Sequence, residues 1–520
     1  MHPSVTPLLQ ETRSVLTVPP VSASQIVRSR NDFLLVAIIG LIAILPVWIP
    51  TFPAMCDAPQ HAAQTAIFSQ LGQPGFAYTQ LFVRHTNVPN AEGYALLYFL
   101  GPLIGLVAAT KLIVSAAMLG FLLACAWLLK EFECDPRLAL LAVTGLYGFP
   151  FQWGFLGFLA AAPVGICFVV LALRYFRAPS LPRGIALALC WLFVFFCHAL
   201  IAAFAAFVAA ACALDGVQSF RQLFRRWLPI AATMAVAGFW WVHSISNIRV
   251  SHKPTEWNLD WERFTQLCMN ISGVPSNLIA VILIMAFVVP VVALLGVRRQ
   301  WRFYIPFAVC IVVTFLFPHS IFAVDSVYQR FAPFMLPCFA LILAHSTPRR
   351  TNLAVIWIVA VALAWTGGMA WRMSVFQREG SGWSTILRQM SPGQRVLSIN
   401  FEHDSEVFSG AVFLHFPAWY SALKSGIVDP SFASGNVDIA LYRPELMPKA
   451  RFADLEFHPE RFNWQSYDGW QYRYFVVHSP IERDAKLFTG SEFPVVLRAH
   501  DGDWWLYENT AESLSPPVHP

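Results

Sequence analysis

Between Phe33 and about Trp371 the chain carries roughly eleven apolar stretches, and the arginines of the short loops between them fall almost entirely on alternate sides. A run of about 20 apolar residues crosses a bilayer as a helix, because a helix satisfies its own main-chain polar groups where no water can. The expected spans are Phe33 to Pro50, Ala108 to Leu129, Leu138 to Pro150, Gly154 to Leu173, Gly184 to Cys197, Ala199 to Leu214, Leu228 to Ser246, Asn277 to Val297, Phe303 to Phe317, Phe331 to Ala344 and Leu353 to Trp371. With a cytoplasmic N-terminus, the inner loops hold Lys130, Arg137, Arg174, Arg177, Arg183, Arg221, Arg225, Arg226, Arg298, Arg299, Arg302, Arg349 and Arg350, against about five basic residues in the outer loops. That asymmetry follows the positive-inside rule, and an odd number of crossings then puts the C-terminus outside. The fold class expected is a polytopic all-α membrane bundle of about 11 transmembrane helices with a C-terminal soluble α/β domain, and a bacterial cytoplasmic membrane is the expected location.

Only 12% of the residues are charged and 57% are hydrophobic, where a soluble domain has about 25% charged. The formal charge of +5 sits in membrane-flanking clusters, which suits lipid headgroups and gives no support to a nucleic-acid partner. Ten cysteines show no CxxC or Cys/His metal spacing; Cys125, Cys167, Cys190 and Cys338 lie inside apolar runs. None follows Trp371, which excludes a disulfide-stapled outer domain. Residues 1–32 read as a disordered cytoplasmic tail and Phe33 to Pro50 as an uncleaved first span.

Residues 33–371 are thus the membrane part, with an outer loop over 51–107, and residues 376–520 the soluble part. Tyr94 to Val107, interrupted by Gly101, Pro102 and Gly105, reads as a short helix in the outer interface, since a crossing there would invert every later loop. His198, midway along an apolar run too long for one helix, suggests a hairpin turned at the outer surface. In the soluble part Ser384 to Met390 has helical spacing and Arg395 to Ile399 and Tyr472 to Val477 read as strands. Val495 to Arg498 and Trp504 to Tyr507 form a hairpin around Asp501, Gly502 and Asp503. No glycine-rich phosphate loop follows a strand, so a nucleotide site has no support.

Three long loops gather outside: Thr51 to Gly93, Asn247 to Ser276 and Pro318 to Arg330. The first holds Cys56, Asp57, Ala58, Pro59, Gln60 and His61 just beyond the first span. If Ala58 to Leu71 is a helix, Asp57 and His61 share a face one turn apart. Asp57 and Gln60 also make a capping box, a purely local use that still leaves one carboxylate oxygen free. Among cations, Arg330 stands at the mouth of its span, Lys111 at the outer end of another and Arg84 in the first loop; each has an ordinary reading as an interfacial, snorkelling or solvated residue. His198 and His319 lie near the outer surface, where a main-chain carbonyl could equally satisfy them, His85 beside Arg84 is a weaker candidate that is more often solvated loop, and Asp325 is placed to cap or pair with Arg330.

An aspartate just past the first span, a long outer loop ending in His85, Thr86, Asn87, Val88, Pro89 and Asn90, roughly eleven spans and an outer C-terminal domain resemble the GT-C membrane glycosyltransferases. That family includes the protein O-mannosyltransferases and the lipid A aminoarabinose transferases. The resemblance covers the membrane part and implies an inverting transfer of sugar from a polyprenyl-phosphate donor to a glycan, lipid or protein acceptor. Asp57 falls where the family has its general base. The family often has an acidic residue directly after that aspartate; Ala58 stands there instead, which puts a divalent cation in doubt, although His61 and Asp325 could help supply a site. The chemistry implied needs a base, which Asp57 supplies, and cations for the leaving phosphate, for which Arg330, Lys111 and Arg84 are the candidates. The alternative class is a transporter or flippase-like component of lipid-linked glycan export. Transporters place ionisable groups at mid-membrane in matching halves, whereas the polar residues here cluster at one face.

Overall fold

The computed structural model describes residues 23–86, 88, 90–245, 254–321, 324–435, 438–451, 454–483 and 487–511. Most of the expected tail, Asn87 and Pro89 of the histidine–proline segment, Ser246 at the end of an expected span, and residues 247–253 of the second outer loop lie outside them.

Among the described residues, five segments are long and apolar enough to cross a membrane: Arg30–Trp48, Leu106–Glu131, Leu156–Arg177, Asn277–Leu295 and Pro348–Gln389. Helix α1 (Ala23–Ala43) begins well before the expected Phe33, and a 3-10 turn with Pro46 closes it. The shorter helices Leu181–Cys197 and Ala199–Cys212 are divided at His198, whose extended backbone breaks the run where a turn was expected. Two expected spans take other forms. Pro136–Gly145 is a 3-10 helix whose residues from Leu138 onward are all buried; at about 2.0 Å per residue it is stretched more than an α-helix. The stretch from Phe331 is a 3-10 turn, Gln329–Phe334, followed by the six-residue helix Met335–Ala340. Pro333 and Pro337 each remove a donor there, so no continuous α-helix forms.

At the other end of α1 the chain enters α2 (Ala58–Gln70), then the short strand β1 (Phe82–Arg84), and then α3 (Ala91–Ile104). Helix α3 carries Pro102 and leaves Phe99 and Leu103 exposed; Gly105, at φ 80°, turns it into α4 (Leu106–Glu131).

The C-terminal part is built on β2 (Arg395–Asn400), β3 (Ile427–Asp429), β4 (Ala440–Tyr442), β5 (Tyr474–His478), β6 (Val495–Asp501) and β7 (Trp504–Asn509). Its sheet has the order β3-β2-β5-β7-β6, with β2 parallel to β3 and β5, and the remaining pairs antiparallel. Successive side chains of a strand point to opposite faces. Val396, Tyr474, Val476, Trp504 and Leu506 therefore join the core that runs on into the membrane bundle. Leu397, Ile399, Phe475, Val477 and Tyr507 form a second core with Trp464 and Leu455.

The two parts are stitched together. Strand β4 pairs antiparallel with β1 from the first long loop, Val83 opposite Leu441. The buried Gln152 donates to the carbonyls of Tyr147 and Gly273 and accepts from Ser409 N, Ser409 Oγ and Gly410 N at 2.8, 2.8 and 3.0 Å. Helix Pro348–Glu379 continues past the expected Trp371, and its buried Arg372 donates to the carbonyls of Val407 and Gly273.

Candidate active site

Asp57 is fixed by its main chain before its side chain does anything. Cys56 N donates to Gln152 O at 2.8 Å and Asp57 N to Trp153 O at 3.0 Å, so the turn after helix Phe149–Trp153 forms a shelf under the N-terminus of α2. Gly154 closes that shelf at φ 77°, and a methyl group on its Cα would stand 2.8 Å from Asp57 N and 2.9 Å from Ala58 N. Gly154→Ala is expected to lower both the melting temperature and any activity of Asp57, since the left-handed backbone alone costs an alanine about 1–2 kcal/mol. Thermal unfolding in detergent together with a transfer assay checks this, and a variant unchanged in both would contradict the shelf.

The capping box does not form. Asp57 occupies the N-cap of α2 without a side-chain capping bond. Gln60 reaches away to the C-terminal part, donating to Pro430 O at 3.0 Å and accepting from Phe432 N at 3.2 Å. The carboxylate of Asp57 instead meets His415 Nδ1 at 3.1 Å through Oδ1. His415 Nε2 bonds the buried Glu456 carboxylate, and Cys56 Sγ lies 3.8 Å from His415 Nδ1. Burial works against charge on this imidazole, yet Glu456, followed by Cys56 and Asp57, holds its pKa well above the ordinary histidine value. Burial pushes the neighbouring Cys56 thiol up to about 12.

Arg330 approaches from the other side. Its guanidinium lies 3.6 Å over the ring of Phe155, next to the shelf, and Nη2 donates to the main-chain carbonyl of Asp325 at 2.9 Å. The residue is partly exposed, but Nε is buried with no partner among the described residues. Desolvation lowers the Arg330 pKa to about 10 against the opposing pull of Asp57 and Asp325, so the group stays charged at neutral pH. His198 is buried, packs its ring edge-on against Phe158 at 5.3 Å and leaves Nδ1 unpartnered among the described residues.

His61, one turn along α2 from Asp57, is lowered by burial to about 4 and is a neutral imidazole at pH 7. Its Nδ1 is 2.9 Å from Tyr94 Oη, and that hydroxyl donates to Asp438 Oδ1 at 2.5 Å. Burial raises Asp438 from 3.8 to about 7, with the Tyr94 bond opposing and Asp57 adding to the rise. The folded state therefore holds this proton more tightly than the unfolded chain, and its contribution to stability declines as pH rises from about 4 to about 7. Asp438→Asn is expected to flatten that decline. Melting curves of both proteins between pH 4 and 8 check it, and parallel profiles would contradict it.

The remaining expected residues are engaged elsewhere. Lys111 donates to the carbonyl of Pro50 and sits over Trp48 at 5.8 Å. Arg84 donates to the carbonyls of Leu71 and Phe68, holding the end of α2. His85 Nδ1 is 3.0 Å from Asp438 O. His319 Nδ1 is 3.0 Å from Gln329 Nε2, beside Arg330 in the chain. The expectation that His61 and Asp325 complete a cation site with Asp57 is not met: among the described residues, the ligand atoms that converge with Asp57 are those of Cys56 and His415, all within 4.8 Å of one another. The residues that sequence reasoning missed are His415, Glu456, Tyr94 and Asp438. The signal for His415 was a lone ionisable group inside the apolar run Ala411 to Trp419, because a buried charge needs a partner.

This arrangement of bundle, juxtaposed loop and C-terminal sheet is similar in fold to solved structures of other proteins. ArnT from Cupriavidus metallidurans bound to undecaprenyl phosphate matches with a TM-score of 0.51 at 11% identity, covering 95% of this chain and 100% of that one. The same protein in its apo state gives 0.52 at 12% identity, with coverage of 95% and 100%. The mycobacterial arabinofuranosyltransferase AftD gives 0.49 at 15% identity over 93% of this chain and 40% of that one. No protein-family model matches the sequence, and no curated protein is significantly similar to it.

Proposed function

We propose that the protein is an inverting glycosyltransferase that moves a sugar from a polyprenyl-phosphate donor to an acceptor on the outer face of a bacterial cytoplasmic membrane. About eleven crossings, a cytoplasmic N-terminus and an extracytoplasmic C-terminal domain belong to this reading; the distribution of loop arginines supports them. Asp57 acts as general base on the acceptor hydroxyl. Its Oδ1 meets His415, and Oδ2 would receive the proton. The acceptor oxygen attacks the anomeric carbon as the bond to the phosphate oxygen breaks, and the polyprenyl phosphate leaves with the electron pair.

The observation that carries the proposal is the buried Nε of Arg330, which has no partner among the described residues, on a guanidinium within electrostatic reach of Asp57. A buried donor without a partner costs about 1–3 kcal/mol, and more when charged, unless a ligand satisfies it. A lipid phosphate does so, and a planar guanidinium held over an aromatic ring suits it better than a lysine. Lys111 gives its ammonium and Arg84 both Nε and Nη2 to main-chain carbonyls, whereas Arg330 gives Nη2 to Asp325 O and keeps a buried Nε without a partner among the described residues, which favours Arg330 as the phosphate residue of the three. That the related fold of ArnT was solved with undecaprenyl phosphate supports the donor class. Mass spectrometry of lipid-linked sugars and surface glycans in a deletion strain tests the proposal: a missing sugar on the acceptor with accumulated lipid-linked donor is expected, and unchanged profiles would contradict it.

A further inference from the structure

We propose that Cys56, Asp57 and His415 form a zinc site, with Glu456 orienting His415 and one coordination position left open on the Asp57 side. Tetrahedral zinc takes nitrogen and oxygen at about 2.0–2.1 Å and sulfur at about 2.3 Å, which sets ligand atoms about 3.3 Å (N to O) and 3.6 Å (N to S) apart. His415 Nδ1 stands 3.1 Å from Asp57 Oδ1 and 3.8 Å from Cys56 Sγ. Both separations are close to the tetrahedral values, and the three ligand atoms all lie within 4.8 Å of one another before any ion arrives. The fourth group is the one a bound imidazole requires: a ligating histidine gives its other nitrogen to a carboxylate, and His415 Nε2 meets Glu456.

The donor set also says which metal. Thiolate and imidazole select zinc over magnesium or manganese, which prefer all-oxygen shells. Ala58, where the resembled family often has a second acid, and His61, bonded to Tyr94, leave no oxygen-rich alternative beside Asp57 among the described residues. Charge balances: two protein anions, the Cys56 thiolate and Asp57, meet a dication, and both the thiol proton of Cys56 and the Nδ1 proton of the His415 imidazolium are released to solvent on binding, while Nε2 keeps its proton toward Glu456. Cys56 and His415 are buried while Asp57 is partly exposed, so the open position faces the same way as the carboxylate. Three protein ligands and an open position are the pattern of a catalytic zinc. The role of the ion in the reaction rests on the transferase reading: the open position would bind the acceptor hydroxyl and ease its deprotonation by Asp57. The site itself does not depend on that reading.

The test uses the full-length protein in detergent, without donor or acceptor, purified with zinc and no chelator. About one zinc per chain is expected by elemental analysis. Cobalt put in its place should give a thiolate-to-cobalt charge-transfer band that Cys56→Ser removes, and His415→Ala should abolish stoichiometric binding. Glu456→Gln keeps all three ligands and should weaken zinc affinity about 10–100-fold, which keeps the test open if a ligand variant does not fold. Absence of stoichiometric metal in the wild type, a band that persists in Cys56→Ser, or unaltered affinity in Glu456→Gln would overturn the proposal, leaving His415 as an imidazolium between two carboxylates. Zinc bound by a protein that transfers no sugar would leave the site standing and remove the transferase reading.

Discussion

Asp57→Asn is expected to fold, to bind donor and to lose sugar transfer by about 100- to 10,000-fold, the range a positioned general base supplies. Folding should survive because the carboxylate caps nothing: α2 starts without a side-chain capping bond, and the asparagine oxygen can still face His415. The loss should fall on kcat more than on KM, since the base acts on the acceptor only as its proton leaves. Single-turnover transfer with a labelled polyprenyl-phosphate sugar measures it. Transfer at the wild-type rate would remove Asp57 from the chemistry and the proposed mechanism with it.

Arg330→Ala should raise the KM for the donor lipid by about 100-fold, corresponding to about 2.7 kcal/mol for a lost charge-assisted hydrogen bond to phosphate. Arg330→Lys should recover only part of this, because a compact ammonium neither stacks on Phe155 at 3.6 Å in the guanidinium's manner nor presents two donors in one plane. The measurement is a donor titration at fixed acceptor, with melting curves alongside. An unchanged donor KM would show that Arg330 serves only to anchor the carbonyl of Asp325.

That the chain before Trp371 forms long apolar helices was legible in the sequence because apolar runs are local, as was the place of Asp57 just past the first of them. Apolar runs, their flanking arginines and an aspartate just past the first span can be read within a few tens of residues. The strands Arg395–Asn400 and Tyr474–His478 were legible for the same reason, as short runs of β-branched and aromatic residues. What failed was whatever depended on a distant partner. Gln60 fits a capping box by spacing, yet Pro430 and Phe432 claim its side chain. Strands β1 and β4 are three residues each, too short to show a period. The run from Phe331 to Ala344 has the composition of a span, and composition does not register what Pro333 and Pro337 do to a helix. His415 and Glu456 come from loops whose convergence on Asp57 is a property of the folded chain alone.

The pairing of β1 with β4, with Gln152 holding both Gly273 and the Ser409–Gly410 turn, bears on how this protein can be engineered. A chimera that exchanges everything after Trp371 for the tail of another protein of this fold would strip the first long loop of its strand partner and Asp57 of its imidazole. Any exchange of the tail should therefore move the loop with it, as one inherited piece.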